Sequence, residues 1–295
     1  MNIYEKAPLR LAHRGVVQAA PENTIGAFEA AKQMGLEGIE IDVRLSRDGE
    51  VVVVHDGNLT RLTLGHPTMQ SHANIVDLTW EELSRVELPY ANHLLDDVPP
   101  PGSENEQVAI RPMRMLGQER GRGYLEELQR EPRMARLLTL RDFLRWLEQV
   151  PHMLVEIEVK APAAALPIFN LLEGSPVADR CIVFSGEPAY IHEMQTLAVQ
   201  MGKPRGVRLG ANIRWLDEAH KQQIQGMDFY EVGLNAEHVS PEDVRWLADR
   251  GISVFSNLGD YTSWWRAVNT LGLAGFKTNY AAAYTAWWAQ NKGNA

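Results

Sequence analysis

The sequence predicts an α/β protein of the (β/α)8 TIM-barrel class, with a hairpin arm and an insertion after the second strand. Three observations lead there. Eight short β-favouring runs recur, at 9–13, 38–43, 153–160, 181–185, 206–209, 229–234, 253–256 and 275–278. Helical patterns separate most of them, and strand, helix, strand in that order builds a parallel sheet through right-handed crossovers. Eight such strands close a barrel, for which a chain of 295 residues is long enough.

Taken in order, the first strand ends at His13-Arg14-Gly15. Pro21-Glu22-Asn23-Thr24 then offers helix-start chemistry, and Ile25, Phe28 and Ala31, with Ala27, Ala30 and Met34, repeat at helical spacing. Gly35 closes that helix.

The second strand opens the stretch around which the chain is organised, 38–56. Asp48-Gly49 lies between two β-favouring runs, which predicts a hairpin with a type I′ turn. That turn sets Asp42 opposite His55, and period-2 alternation adds Glu40 to the same face. Charges inside an apolar strand are costly unless paired or bound to a cation. Two carboxylates on one face resist joint ionisation, and a hard divalent ion such as Mg²⁺ or Ca²⁺ removes the conflict. Val51 to Val54 reads as buried on both faces.

Between about 58 and 138 the alternation breaks down, and the stretch reads as an inserted rim segment of one domain spanning 1–295. Thr79-Trp80-Glu81-Glu82 is a capping box. Pro99-Pro100-Pro101-Gly102 forbids regular structure. Seven arginines and four glutamates between Arg111 and Arg136 read as a solvated helical face.

After Thr139 the alternation resumes, and Ser240-Pro241-Glu242-Asp243 is its cleanest helix start. In the third barrel strand, Val-Glu-Ile-Glu-Val-Lys, the residues Glu156, Glu158 and Lys160 alternate with apolar neighbours, so all three are expected to point inward. Chemistry in such barrels lies at the carboxyl ends of the strands, where His13, Glu40, Asp42, Glu158 and Lys160 fall.

The net charge of −9 argues against nucleic acid and against docking to an anionic membrane. Without an apolar leader or a long apolar run, no stable membrane insertion and a cytoplasmic location are expected. Cys181, the single cysteine, reads as a buried strand thiol. Seven further histidines (His66, His72, His93, His152, His192, His220 and His238) show no paired spacing, and Trp264, Trp265, Trp287 and Trp288 read as helix packing against the barrel. Nothing in the pattern specifies an oligomeric state.

Ala12-His13-Arg14-Gly15, Pro21-Glu22-Asn23-Thr24, Glu40-Ile41-Asp42, His55-Asp56 and Glu158-Val159-Lys160 together resemble the glycerophosphodiester phosphodiesterase family. The likeness is dense over 9–61 and 139–160 and loose beyond. It implies a metal-dependent phosphodiesterase that hydrolyses glycerophosphodiesters, small-molecule substrates, to an alcohol and sn-glycerol 3-phosphate. By the same resemblance His13 and His55 are the acid/base pair, Glu40, Asp42 and Glu158 hold one divalent cation, and Arg14 and Lys160 contact the phosphate. A lysophospholipase D-like activity on single-chain lipids is the alternative. The late strands depart from the family pattern: Phe255 stands near its usual tryptophan, Gly186 replaces a phenylalanine, and the last strand ends Thr278-Asn279 where Thr-Asp is usual. Phe255 and Gly186 are therefore expected to shape the alcohol side.

Overall fold

The computed structural model describes residues 8–17, 19–63, 73–89, 134–201, 206–260 and 262–291. Its strands, in chain order, are β1 (Leu9–His13), β2 (Gly38–Leu45), β3 (Val51–Val53), β4 (Glu87–Pro89), β5 (Met134–Arg136), β6 (Leu138–Thr139), β7 (Leu154–Val159), β8 (Cys181–Ser185), β9 (Arg208–Asn212), β10 (Glu231–Leu234), β11 (Ser253–Ser256) and β12 (Gly275–Thr278). β1, β2 and β7 to β12 run parallel, and β1 pairs with both β2 and β12, so the sheet closes on itself. The predicted barrel is present, with β3 as its hairpin arm.

Helices wrap the barrel because each has one apolar face to bury. Ile25–Gln33, between β1 and β2, buries Ala27, Phe28 and Ala31. The Phe28 ring meets Phe143 edge-on at 5.2 Å, and Trp146 at 5.6 Å, from the helix Leu140–Glu148. Full burial of such a ring is worth about 1.5–3 kcal/mol. On the closing side, Tyr284 packs on Phe276, Trp265 and Trp287. The capping boxes at Thr79 and Ser240 both form. Cys181 is buried, and burial pushes its thiol up to about 12. Among the described residues no helix is long and apolar enough to cross a membrane.

The hairpin differs from the expectation in one respect that matters. Val43 pairs with Val53 and Leu45 with Val51, one residue out of the predicted register. Ser46 donates its N–H to the Glu50 carbonyl, which leaves Arg47, Asp48 and Gly49 as the loop. Only Gly49 of these has positive φ, at +83°. A three-residue loop with glycine at its left-handed position therefore replaces the type I′ turn. Asp48 lies in the middle of that loop, its carboxylate accepting from Ser46 Oγ at 2.6 Å and from the Trp80 N–H at 3.0 Å. His55 consequently does not face Asp42 across a ladder.

The described parts of the insertion bring Leu59, Ile75, Leu78, Leu83, Val86, Leu88 and Leu137 together over Val52 and Val54. This small apolar cluster covers the outer face of the hairpin, so the four valines are buried on both sides, as expected. Pro99-Pro100-Pro101-Gly102, His66, His72, His93 and the arginine-rich segment up to Arg133 lie outside the described residues.

Inside the barrel, Leu9, Leu11, Leu154, Ile182 and Phe255 form the floor. Phe255 fits there because Gly275 opposite has no side chain; a Cβ would lie 2.5 Å from its ring. Phe255 thus plugs the bottom, and the expectation that it shapes the alcohol side does not hold. Above the floor, Lys277 Nζ donates to Glu156 and lies 4.4 Å from the Phe184 ring centroid. Burial first, and then the Glu156 charge, pushes the Glu231 carboxyl well above the ordinary range. Glu156 points inward, as expected, and belongs to this layer below the mouth.

One turn connects fold to site. Gly15 has φ +84°, and a Cβ there would sit 2.6 Å from the Ala27 Cβ. Gly15→Ala is expected to cost more than about 1 kcal/mol, since both the backbone and the contact oppose it. Denaturant unfolding monitored by circular dichroism checks this, and an unchanged midpoint contradicts it.

Candidate active site

The site is assembled at the carboxyl ends of β1, β2 and β7 and the turn after β3. Parallel register places Asp42 beside Glu158, and His13 beside Glu40. Oxygens of Glu40, Asp42 and Glu158 lie within 4.8 Å of one another, a set that could hold a metal ion. His13 Nε2 is 3.8 Å from Glu40 Oε2. Lys160 Nζ lies 2.6 Å from Glu158 Oε1 and 3.3 Å from Asp42 Oδ1.

Arg14 reaches this centre from a left-handed backbone, φ +59°, that turns it back over the strand ends. Its Nε is 3.1 Å from Asp42 Oδ2 and its Nη1 3.0 Å from Glu22 Oε1. His55 follows the end of β3, where the Val54 N–H donates to the Asp42 carbonyl at 2.8 Å. Departure of the chain from the strand, and not cross-strand opposition, brings the imidazole to the rim. Arg44 ties this corner down, donating from Nε to the His55 carbonyl at 2.7 Å and from Nη1 to the Lys160 carbonyl at 3.3 Å.

Of the residues singled out from the sequence, His13, Arg14, Glu40, Asp42, Glu158 and Lys160 converge directly, and His55 is tied to them at the rim through Asp56, Arg61 and Glu22. Other members were not singled out. Asn23, at φ +57°, donates to Asp42 Oδ2 at 3.1 Å. Arg61 bridges Glu22, at 2.5 and 2.6 Å, and Asp56, at 2.8 and 3.1 Å. Asp56 in turn holds His55 Nδ1 at 2.7 Å. Asn279 holds His13 Nδ1 at 2.8 Å and rests on Asp260. The Pro-Glu-Asn-Thr motif, read as a helix start, carried a signal for Glu22 and Asn23. Thr24 makes no side-chain cap and instead donates to the Pro21 carbonyl at 2.6 Å. Glu22 and Asn23 are buried, unlike ordinary surface caps.

The electrostatics follow from burial and neighbours. Burial, then the Asp42 and Glu158 charges, pushes the Glu40 carboxyl well above its ordinary range. Burial opposes the Asp42 charge too, but Arg14 and Lys160 outweigh it and hold that carboxyl low. The His13 imidazole is pushed down to about 3, first by burial and then by Arg14. Glu22, Asp42, Asp56 and Glu158 pair with Arg14, Arg61 and Lys160, while Glu40 has none of these cations as an ion-pair partner. Glu40 Oε1 is buried and accepts no hydrogen bond. An oxygen-only donor set with an orphaned carboxylate oxygen fits a hard divalent ion.

The structure is thus a closed eight-stranded barrel with histidines, carboxylates and basic side chains at its mouth. Residues 13–282 match the glycerophosphoryl diester phosphodiesterase family, and the chain belongs to that family. A glycerophosphodiester phosphodiesterase of Caldanaerobacter subterraneus is 42% identical over 79 residues, 27% of this chain and 30% of that protein. One of Bacillus altitudinis is 45% identical over 74 residues, 25% and 28% of the two chains. These matches span under a third of the curated relatives' length. A phosphodiesterase of Oleispira antarctica, solved in complex with the product sn-glycerol-3-phosphate, aligns over 97% of this chain and 99% of its own at TM-score 0.70 and 19% identity. A Thermotoga maritima glycerophosphodiester phosphodiesterase aligns over 96% and 99% at TM-score 0.62 and 21% identity. At these identities the two structures speak to the fold.

Proposed function

We propose that this protein hydrolyses glycerophosphodiesters, adding water across one P–O bond to release an alcohol and sn-glycerol 3-phosphate. The observation that carries the reading is the juxtaposition of His13 and His55 with the Glu40, Asp42 and Glu158 carboxylates and with Lys160. Family membership and the product bound by the Oleispira relative support the glycerophosphate end of the substrate.

Glu40, Asp42 and Glu158 would hold one Mg²⁺ or Ca²⁺ ion, which when bound supplies a Lewis acid for a phosphoryl oxygen. The protein's own groups do the rest. Lys160 and Arg14 present positive charge where negative charge gathers on the phosphoryl oxygens, the electrostatic part of catalysis. Both cations are already engaged with carboxylates, so they sit rigidly before substrate arrives. His13, neutral and with Nε2 toward the carboxylates, takes the proton from the attacking water. His55, backed by Asp56 and Arg61 and a third exposed to solvent, gives a proton to the departing alkoxide.

Gly186 is exposed, and a Cβ there would lie 3.9 Å from Glu158 Oε1 and from the Asn212 Cβ. The lack of a side chain leaves room beside the site on the alcohol side. A soluble diester preference with tolerance for bulkier alcohols is expected, since an entering apolar group gains roughly 0.8 kcal/mol per buried CH₂. Kinetics on glycerophosphocholine, glycerophosphoethanolamine and lysophosphatidylcholine test this. A kcat/KM for the lipid well above those of both soluble diesters would replace the reading by the lysophospholipase D-like one.

A further inference from the structure

At the end of β12 a hydrogen-bond chain runs away from the metal-ligating side of the barrel. His13 Nδ1 is 2.8 Å from Asn279 Oδ1. Asn279 Nδ2 donates to Asp260 Oδ2 at 2.7 Å. Asp260 Oδ1 accepts from Thr278 Oγ1 at 2.8 Å and from the Asn279 N–H at 2.7 Å. Every one of these contacts gives Asp260 a donor, so each treats it as an ionised carboxylate. Burial pushes its carboxyl up to about 6, against these donors, which still leaves it ionised at neutral pH.

The chain has a consequence for proton positions. An amide has one end that donates and one that accepts, and Asp260 accepts only. Asn279 must therefore turn its NH₂ to Asp260 and its oxygen to His13. An oxygen facing Nδ1 requires a proton on Nδ1, which in a neutral ring leaves the lone pair on Nε2. Nε2 is the nitrogen that faces Glu40, at 3.8 Å. We infer that Asp260 and Asn279 are positioning residues which set the tautomer of His13, so that its basic nitrogen faces the reacting groups. This rests on the proposed function for the use to which the base is put.

Asp260→Asn keeps the shape and inverts the chemistry. The new amide still accepts from Thr278 and the Asn279 N–H through its oxygen, so its NH₂ points at Asn279. Asn279 then flips to present its oxygen there and its NH₂ to His13. Nδ1 becomes the acceptor and Nε2 carries the proton, so the base is lost. The same logic, with carboxylate and amide exchanged, restores the native tautomer in the double variant Asp260→Asn with Asn279→Asp. There the carboxylate at 279 accepts both from His13 Nδ1–H and from the amide at 260.

The test uses the full-length protein loaded with Mg²⁺ and two readouts. Asp260→Asn should lower kcat on glycerophosphocholine by ~10²- to 10⁴-fold, the upper figure being that of the wrong-tautomer aspartate-to-asparagine variant in serine proteases. KM should stay within threefold, and the double variant should recover at least tenfold of the loss. Nitrogen-15 shifts of labelled His13 should report Nδ1–H in the parent and the double variant, and Nε2–H in Asp260→Asn. A kcat for Asp260→Asn within threefold of the parent overturns the inference. So does a double variant no better than the single, or Nε2–H in the parent. If the parent does not hydrolyse the diester at all, the proposed function fails while the nitrogen-15 shifts still decide the tautomer.

Discussion

Removal of divalent cations should take turnover of glycerophosphocholine below detection, and Mg²⁺ or Ca²⁺ should restore it. Glu40 and Asp42 are fully buried, and with Glu158 they bring carboxylate oxygens within 4.8 Å of one another. Without a cation, burial first and then the Asp42 and Glu158 charges push the Glu40 carboxyl well above its ordinary range, so a cation that offsets those charges favours its ionised form. Ion binding to the folded state should also raise the melting temperature, because saturation at a hundred times Kd stabilises by about 2.7 kcal/mol. Glu40→Gln should abolish that cation-dependent shift while the metal-free protein melts no lower than its parent, since a neutral amide needs no counter-ion in a buried site. Full activity in protein shown metal-free by elemental analysis would refute the assignment of these three carboxylates.

The second large effect concerns the two histidines. His13→Ala and His55→Ala should each lower turnover by at least ~10²-fold, the low end for general acid–base catalysis, with the fold retained. Neither ring is part of the hydrophobic core: His13 is wedged among polar groups, and His55 is a third exposed. The double variant should lose far less than the product of the single losses, because residues that act as one unit are non-additive. Asp56→Asn should cost less than His55→Ala, since it removes the partner of Nδ1 and leaves the ring. Steady-state kinetics with circular dichroism on each variant decide the matter. Near-parent turnover in either alanine variant makes that histidine structural, and the proton path as written fails.

Several features of the site were legible in residues alone because they are local or follow simple periods. Period-2 alternation along β2 put Glu40 and Asp42 on one face, and the same period along β7 put Glu158 and Lys160 on one face. The count of β-favouring runs gave a closed barrel, and the barrel rule then located the chemistry at the strand ends. The hairpin was legible in existence but not in register. Asp48-Gly49 allows two loop lengths, and the three-residue loop that forms is accompanied by contacts of Asp48 with Ser46 and with Trp80, the latter more than thirty positions away.

The supporting shell depended on tertiary structure throughout. Arg61 meets Glu22 across 39 positions, and His13 meets Asn279 across 266, because barrel closure sets β12 against β1. No local pattern encodes such a meeting. Phe255 shows the converse, a residue whose place in the pattern suggested the mouth but whose depth along its strand placed it at the floor. Depth depends on strand stagger, which the ladder of backbone hydrogen bonds decides and side-chain chemistry does not. The sequence by itself determined which side chains could bind an anion and a cation. The closed sheet alone decided which asparagine and which aspartate would hold His13 in place.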